Sequence, residues 1–382
     1  MRSKIKICHI AHKLTGKSDG VFTHLKMLFE LLDKNQFEQI LMYSGNEPLI
    51  DSYTQSLGIK VYNIPELNKK LPIKLFFKIF RILKEENVDI IHTHLVKPYI
   101  FAGLINIILK RKLIFNYQGI FITPKYYSYI ERVSLNLLNL ILVLNKKNIV
   151  AIAPSKLSLE ELKKNSVSFK DIFYYYNGYI IKSNPPEINP VVLKTILSLK
   201  RKFFLVGLIA RHEKQKRLDL ALKILLALTK KGLNIFFIFI GDGPLINQTK
   251  KLSKDYLIED KCLFIEHLKN LPDYLHLFDI ILFTSEWEGF PLTIWEAMCN
   301  GVPVVSSDVG GIREILEGEN CGIVYPFNDL ERCVEIITDL YYNREKLKIL
   351  GENGRKAILE KYNEKQFKQF FEQLYVDLIN EK

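Results

Sequence analysis

Hydrophobic and polar positions along this chain predict strands and helices in regular alternation. Short apolar runs, typical of buried strands, are followed by longer segments with apolar residues at every third or fourth position, which is typical of helices. In the first half, strands are predicted at 4–10, 39–43, 89–92, 113–116, 149–153 and 172–175, and helices at 21–32, 72–86, 99–109, 126–146 and 155–164. This alternation predicts an α/β protein with parallel sheets covered by helices on both faces.

The alternation stops at 183–200, a segment with three prolines, and then starts again. Later strands are predicted at 203–210, 234–240, 262–265, 280–283 and 302–306, with a helix at 218–230 and two to three helices from about 330 to the end. A length of 382 residues fits two domains. We therefore predict an N-terminal domain at 1–182, a linker at 183–200 and a C-terminal domain at 201–382, whose last helix packs back toward the N-terminal domain. Doubly wound domains bind ligands at the carboxyl ends of their strands, so the expected site is the cleft between the domains.

The segment 285–311 carries the strongest chemical signal. Two carboxylates, Glu288 and Glu296, flank the start of a predicted short helix, in which Pro291 suits the first turn. Asn300 and Gly301 are predicted to end that helix. Glu288 is then expected in the loop before the free backbone N–H groups of the first turn. Anion-binding amides next to two carboxylates that accept hydrogen bonds from hydroxyls would suit a sugar attached to a diphosphate.

Two further loops add weaker signals. Gly16 and Gly20 precede the first helix without forming the Gly-x-Gly-x-x-Gly motif of dinucleotide-binding proteins, and an ordinary loop remains an alternative. The predicted strand 203–210 runs into the basic segment 211–217, which suits a diphosphate or is simply solvated. The turn 241–244 after the next strand leaves backbone groups open.

His92 and His94 alternate on one face of a strand, which is compatible with a metal pair. No third ligand is apparent nearby, so hydrogen-bonding roles are favoured. The sequence also has no Asp-x-Asp pair, so no metal and no cofactor are expected.

The net charge of +12 is unevenly distributed. Residues 1–182 contain 27 Lys and Arg against 14 Asp and Glu, whereas 183–382 contain 27 against 28. A basic half attracts anionic lipid, nucleic acid or acidic substrates; solvated lysines are the alternative explanation, against which the uneven distribution counts. Segment 69–84 combines lysines with phenylalanines and can lie on an anionic bilayer or pack on its own sheet. Five cysteines without CxxC spacing, no signal peptide and no apolar run near about 20 residues predict a cytoplasmic protein, with peripheral attachment to the inner face of the cell membrane as a hypothesis.

With these motifs in view, the chain resembles the retaining glycosyltransferases of family 4, which have the GT-B fold of two Rossmann-like domains facing across a cleft. The resemblance covers nearly the whole chain, and its specific part is the Glu288-x7-Glu296 block with its flanks. The supporting motifs are the loop with Gly16, Gly20 and His24, the segment 89–94, the pair 177–178, Arg211 with Lys216, and the segments 241–244, 301–305 and 310–314.

The resemblance implies that the C-terminal domain binds a nucleotide-sugar donor and the N-terminal domain binds a glycan or lipid-linked acceptor. Arg211 and Lys216 are expected to stabilise the leaving diphosphate without a metal, Glu288 to contact sugar hydroxyls, and Glu296 to bind the ribose. Further donor-side candidates are Gly16, Gly20, Gly243, His267, Gly289, Phe290, Pro291, Leu292 and Thr293, and the acceptor-side candidates are His24, His92, His94 and Gln118.

Two positions depart from the family pattern. Gln118 stands where many relatives carry a histidine, so a titrating base is not expected there. Glu266 stands where relatives often have glycine, beside the expected base pocket, so the nucleotide base stays open, as do the sugar, the acceptor and the linkage. The competing interpretations are a sugar-nucleotide epimerase or phosphorylase of similar fold, and a non-catalytic module that binds membrane or nucleic acid. The donor motifs favour transfer, and no nucleic-acid fold signature is present.

Overall fold

The computed structural model describes residues 4–14, 20–45, 47–68, 73–116, 144, 148–165, 171–176, 178–181, 187–289 and 291–381. The chain divides into two units, each with its own parallel sheet. Unit 1 comprises Met1–Asn177 and Glu364–Lys382, and unit 2 comprises Gly178–Asn363. The predicted fold class, an α/β protein with two Rossmann-like parallel-sheet domains, is confirmed.

Unit 1 contains seven parallel strands in the order β3-β2-β1-β4-β5-β6-β7. The strands are β1 Ile5–Lys13, β2 Phe37–Ser44, β3 Lys60–Asn63, β4 Ile90–His94, β5 Lys112–Asn116, β6 Ile149–Ala153 and β7 Asp171–Tyr174. The helices are α1 Gly20–Leu31, α2 Pro48–Ser56, α3 Ile73–Glu85, α4 Val96–Leu109 and α5 Lys156–Asn165, with a 3-10 turn at Pro65–Asn68. Alternate residues of the strands enter separate apolar clusters. Ile10 and Met42 pack in one cluster and Ala11 and Leu41 in the other, as period-2 alternation requires.

Unit 2 contains six parallel strands in the order β10-β9-β8-β11-β12-β13. The strands are β8 Phe204–Ile209, β9 Ile235–Ile240, β10 Cys262–Ile265, β11 Ile280–Phe283, β12 Val304–Ser307 and β13 Gly322–Tyr325. The helices are α6 Pro190–Lys200, α7 Leu218–Lys230, α8 Ile246–Asp255, α9 Leu292–Cys299, α10 Ile312–Leu316, α11 Leu330–Tyr342 and α12 Arg344–Glu360, with 3-10 turns at Lys214–Lys216, Glu259–Lys261 and Leu271–Leu277. Every residue of β9 is buried, which explains its uninterrupted apolar sequence.

The sequence predicts a linker at 183–200, but most of this segment forms helix α6 in the structure. Pro190 occupies the first turn of α6, where no N–H is needed, and the Asn189 side chain accepts hydrogen bonds from the N–H groups of Val191 and Val192. Ile196 is buried within unit 2. The proline that suggested a break therefore begins a helix, and the boundary between the units falls at 177/178 rather than at 182.

The last helix, α13 Glu364–Asn380, belongs to unit 1. It buries Phe367, Phe371 and Tyr375, and its Glu372 carboxylate accepts a hydrogen bond from the Asp33 N–H at 2.8 Å, just beyond α1. This helix lies in the first unit although it is the last element of the chain. The predicted helix at 126–146 lies outside the described residues. Among the residues that the structure describes, no helix has the length and apolarity needed to cross a bilayer.

Candidate functional site

The centre of the candidate site in unit 2 is an ion pair between two loops that follow β8 and β11. Lys216 Nζ lies 2.5 Å from Glu288 Oε1, and the two side chains are only 19% and 7% exposed. Lys216 ends a 3-10 turn and Glu288 precedes α9, so both lie at the carboxyl edge of the sheet, where the sequence placed the donor site. The pair therefore joins the basic segment 211–217 to the segment 285–311, which the sequence assigned to the donor site.

Glu288 is held in place by small residues around it. The Ser285 hydroxyl donates to Glu288 Oε1 at 2.6 Å, and the Ser307 hydroxyl donates to the Ser285 carbonyl at 2.6 Å. A Cβ added to Gly310, whose φ is +58°, would lie 2.4 Å from the Glu288 carbonyl oxygen. The backbone of Gly310 therefore packs directly against the loop that carries the carboxylate, which only glycine allows.

Three hydrogen bonds join the two loops along their backbones. Gln215 Nε2 donates to the Trp287 carbonyl at 2.6 Å, and the Glu286 N–H donates to the Gln215 carbonyl at 2.9 Å. The Thr284 hydroxyl donates to the Lys216 carbonyl at 2.8 Å. Sequence reasoning missed these positioning residues. The available signal was a set of short polar residues directly after the strands.

Arg211 lies two residues after β8 but does not join the buried pair. Its side chain is 64% exposed, and its Nη1 lies 2.9 Å from Glu213 Oε1. A guanidinium that is exposed and paired with a neighbouring carboxylate can turn toward another anion at small energetic cost. Of the two cations assigned to the diphosphate, Lys216 is thus preorganised and Arg211 is exposed.

The turn at 241–244 packs tightly on the basic loop. The His212 N–H donates to the Asp242 carbonyl at 2.6 Å, and a Cβ on Gly243, whose φ is +144°, would lie 2.6 Å from the His212 nitrogen. Gly243 is therefore required by close backbone approach. His212 itself is buried, with Nδ1 3.1 Å from the Thr249 hydroxyl, and burial lowers its pKa, with the Lys250 charge as a smaller cause.

The expected base pocket after β10 is open and charged. His267 is largely exposed, with Nε2 3.7 Å from Asp242 Oδ2. Glu266 pairs with Lys250 at 2.7 Å, and that hydrogen bond is the main cause that lowers the Glu266 pKa. Glu266 is thus a charged, exposed group beside this pocket.

Helix α9 begins one residue later than its sequence suggests. Pro291 is its N-cap, and Leu292 and Thr293 are its first residues, whose N–H groups have no carbonyl four residues earlier within the helix. Glu296 is half-buried one turn further on, and Gly289 precedes the helix, while Phe290 lies outside the described residues. Burial is the main cause that raises the pKa of Tyr179, and the Glu296 charge adds to it, so these side chains lie in one neighbourhood.

The acceptor-side candidates of unit 1 are mostly buried. His24 lies with its Nε2 3.1 Å from Asn116 Nδ2, and His92 and His94 are fully buried. Gln118 lies outside the described residues, as does the donor-side candidate Gly16, whereas the donor-side candidate Gly20 is exposed at the start of α1. His24, His92 and His94 are therefore interior groups of unit 1.

The expectation that His92 and His94 lack a third neighbouring ligand is wrong. His9 lies beside them, because β1 pairs with β4 in parallel and the register sets His9 opposite His92. The three residues offer ring nitrogens that lie within 4.8 Å of one another.

Comparison with known proteins places both halves of the chain in one enzyme class. Residues 18–181 match the family model Glycosyltransferase Family 4, and residues 193–357 match the model Glycosyl transferases group 1. The chain is 25% identical over 400 residues to the Escherichia coli UDP-Gal:alpha-D-GlcNAc-diphosphoundecaprenol alpha-1,3-galactosyltransferase, covering 100% of this chain and 99% of that protein. It is also 25% identical over 383 residues to the Bacillus anthracis N-acetyl-alpha-D-glucosaminyl L-malate synthase, with 99% and 98% covered.

Solved structures support the same fold. A glycosyltransferase from Rickettsia africae superposes with a TM-score of 0.82 at 17% identity, covering 100% of both chains. Anabaena HepE in complex with UDP superposes with a TM-score of 0.80 at 18% identity, covering 98% of this chain and 100% of that one. The two family models together span most of the chain, and both full-length relatives are glycosyltransferases or sugar-conjugate synthases by name. This chain therefore belongs to the family 4 glycosyltransferases.

Proposed function

We propose that this chain transfers a sugar from a nucleotide-diphosphate sugar to a hydroxyl of a glycan or lipid-linked acceptor, with retention of anomeric configuration and without a metal ion at the diphosphate. The observation that carries the proposal is the nearly buried pair of Lys216 and Glu288 at the carboxyl edge of the unit 2 sheet. This pair supplies a cation for a leaving phosphate and a carboxylate for sugar hydroxyls within one loop pair. The reaction would build cell-surface polysaccharide or glycolipid.

In this proposal the cations act as electrostatic stabilisers. Lys216 is held by Glu288, so its ammonium group needs little rearrangement to meet a β-phosphate, whereas Arg211 moves from Glu213 to complete the clamp. The negative charge that develops on the departing diphosphate is then stabilised by cations that are already in position. Preorganised electrostatic stabilisation of this kind is usually the largest contribution to catalysis. The sequence has no Asp-x-Asp pair, which supports a clamp of side chains over a bridging cation.

The donor sugar and ribose would bind along α9. Glu288 and the amides of Gly289, Leu292 and Thr293 suit sugar hydroxyls and phosphate, and Glu296 suits the ribose hydroxyls. Gly243 opens the backbone beside them, and the base would bind next to the exposed His267. With no protein nucleophile assigned, the leaving phosphate oxygen would take the proton from the attacking hydroxyl on the same face of the sugar, which gives retention.

The donor is tested with a thermal-shift panel of nucleotide sugars, because a ligand that binds only the folded state raises the melting temperature. The names of the Escherichia coli and Anabaena proteins make UDP-sugars the first to test. We expect one nucleotide to raise the melting temperature of the wild-type chain and to lose most of its effect in Lys216→Ala. A panel in which no nucleotide sugar shifts the wild-type protein would reject the proposal.

Transfer is tested with the preferred donor by NMR detection of the product. Arg211→Ala and Lys216→Ala should abolish turnover, with Lys214→Ala, an exposed lysine of the same turn, as the control. The product linkage should keep the donor's anomeric configuration, and brief addition of EDTA to the assay should leave the rate unchanged. Inversion, or a rate that requires Mg²⁺, would contradict the corresponding part of the mechanism.

The proposal includes a cytoplasmic protein that meets its acceptor at an anionic membrane surface through unit 1. In α3, Leu75, Ile79 and Leu83 are buried against the sheet, so most of its apolar face is already covered, whereas Phe77 is 62% exposed among lysines. Sedimentation with vesicles rich in anionic lipid at low salt tests this surface. Phe77→Glu should reduce binding to the vesicles, whereas Leu49→Glu, at another exposed apolar position of unit 1, should not. Equal binding by the wild-type protein and both variants would remove α3 from the proposal.

A further inference from the structure

Three buried histidines form a cluster inside unit 1 that the proposed transfer reaction does not use. His9 is on β1, and His92 and His94 are on the neighbouring strand β4, where the parallel register places His9 opposite His92. All three are fully buried, and each offers a ring nitrogen within 4.8 Å of one from both others. Two histidines at alternate positions of one strand and a third on the next strand bring three imidazoles to a single face of the sheet.

The hydrogen bonds of Gln39 determine which nitrogen of His9 carries a lone pair. Gln39 Nε2 donates to the Leu28 carbonyl at 3.1 Å, so its Oε1, 3.1 Å from His9 Nε2, is an acceptor. His9 therefore donates from Nε2, and its Nδ1 carries a lone pair directed at His94 Nε2, 3.3 Å away. Two nitrogens at about 2.0–2.1 Å from a tetrahedral metal lie about 3.3–3.4 Å apart, so this spacing already fits a shared ion.

His92 has a ring nitrogen that is not satisfied and that a metal could use. Within the described part of the chain, His92 Nε2 is buried without any hydrogen-bond partner; His94 Nδ1 lacks one too, but the His94 nitrogen that lies near His9 is Nε2. The other nitrogen of His92, Nδ1, lies 2.9 Å from the Tyr375 hydroxyl on α13. A buried polar atom without a partner destabilises the fold, and such atoms are uncommon in native proteins.

The cluster is also in the protonation state that a metal requires. Burial lowers the pKa of His9 to about 3, and burial is likewise the main cause that lowers the pKa values of His92 and His94 well below the ordinary range. Neutral imidazole is the ligating form. Gln39 and Tyr375 occupy the places of outer-shell groups, which hold the second nitrogen of a ligating histidine and fix its ring.

We propose that His9, His92 and His94 bind a divalent transition-metal ion, with Zn²⁺ as the preferred ion, and that this ion is a structural link between β1 and β4. Nδ1 of His9 and Nε2 of His92 and of His94 are the ligand atoms, and the proton of His94 moves from Nε2 to Nδ1 as the metal replaces the hydrogen bond to His9. A small ligand such as water completes the tetrahedron. The site lies in unit 1, and the transfer chemistry proposed for unit 2 does not depend on it.

Metal analysis of the full-length protein, expressed with zinc in the medium and dialysed against metal-free buffer, tests the proposal directly. We expect about one zinc per chain, as in other three-histidine sites. Protein stripped by prolonged dialysis against a strong chelator should melt at a lower temperature and recover on addition of Zn²⁺. Titration of the stripped protein with Co²⁺ should give the intense visible absorption of a tetrahedral complex.

Variants separate the site from adventitious binding. His92→Gln and His94→Asn should each lower zinc affinity by more than tenfold, whereas His212→Gln, which alters a buried histidine of unit 2 whose Nε2 also lacks a partner, should retain the metal. Circular dichroism checks that each variant is folded, and the wild-type Co²⁺ titration stands even where a variant is not. Wild-type protein without bound zinc, without a Co²⁺ spectrum and without a Zn²⁺-dependent melting shift would show that the cluster is a hydrogen-bonded core layer only.

Discussion

Replacing Lys216 should destabilise unit 2 through the carboxylate that it leaves behind. In Lys216→Met the side-chain length is kept, but Glu288, 7% exposed, loses the ammonium at 2.5 Å and retains the Ser285 hydroxyl. Breaking a buried ion pair costs about 3–5 kcal/mol, and a hydrogen bond to a charged group contributes about 1.5–3 kcal/mol. Because Lys216 is 19% exposed and water can reach part of the site, we expect a loss at the lower end, about 2–3 kcal/mol.

The companion variants turn this magnitude into a test of the pair. Glu288→Gln removes the negative charge but keeps the shape of the side chain. The Lys216 ammonium that remains can reach solvent, so we expect the free energy of unfolding to fall by about 1 kcal/mol. The double variant buries no uncompensated charge and should recover about 1–2 kcal/mol relative to the sum of the single changes. Lys214→Met, at an exposed position of the same turn, controls for loss of a lysine as such.

The chain offers a reporter that is specific to unit 2. Its two tryptophans, Trp287 and Trp295, both lie in that unit and next to or within α9. Urea unfolding followed by tryptophan fluorescence therefore measures unit 2 even though the two-unit chain does not unfold in one step. Additive single and double variants, with Lys216→Met no worse than Lys214→Met, would refute the assignment of Lys216 and Glu288 as a coupled buried pair.

Three further predictions use the same unit. Gly310→Ala should lower the free energy of unfolding by more than about 1 kcal/mol and weaken donor binding, because its Cβ would clash with the Glu288 carbonyl oxygen. Gly232 has a similar positive φ but open space around it, so Gly232→Ala should leave donor binding, measured by calorimetric titration, unchanged. Glu213→Gln should tighten nucleotide-diphosphate binding by up to about fivefold, because Arg211 no longer has a competing carboxylate. Glu345→Gln controls for the change in net charge. Equal affinities of Glu213→Gln and Glu345→Gln for the nucleotide diphosphate would contradict the role of Arg211. Because the pKa of His212 is lowered in the folded state, the unfolded chain binds its proton first, and stability should fall as pH drops below about 6.5, by at most about 1.4 kcal/mol per pH unit. His212→Gln should show a shallower slope in urea unfolding between pH 7 and 5, and an unchanged slope would mean that His212 is not protected from protonation.

Strands and helices with strong apolar patterns could be predicted from the sequence, whereas strand β3 could not. Strands β6, β10 and β11 have the predicted bounds because their residues form unbroken apolar runs. Strand β3, at one edge of the unit 1 sheet, was missed because it is only four residues long, half of them polar, and because none of them is fully buried. Pairing with β2 supplies its backbone hydrogen bonds, and this contribution depends on tertiary structure that a local pattern does not contain.

The donor-side charges were assigned from separate motifs and from the family resemblance, and their role in donor binding stays a prediction. Lys216 and Glu288 were assigned separately, and the structure joins them. The groups that hold the pair were not predictable, because Gln215, Thr284 and Ser307 act through contacts between loops that follow different strands. Such contacts depend on the order of strands in the sheet, which single-sequence patterns do not specify.

The histidine cluster shows how the apolar pattern itself can assemble a polar site. His9 and His94 are 85 positions apart, and nothing in the local sequence of either points to the other. The register of β1 and β4 is fixed by their apolar residues, since Cys8 and Ile91 are partners that enter the same buried cluster. A shift of the β1 register by one residue would turn His9 to the opposite face of the sheet and would mismatch the apolar residues of the core. The burial that fixes this register therefore also places three neutral imidazoles together, and a metal bound there would in turn stabilise the register that formed it.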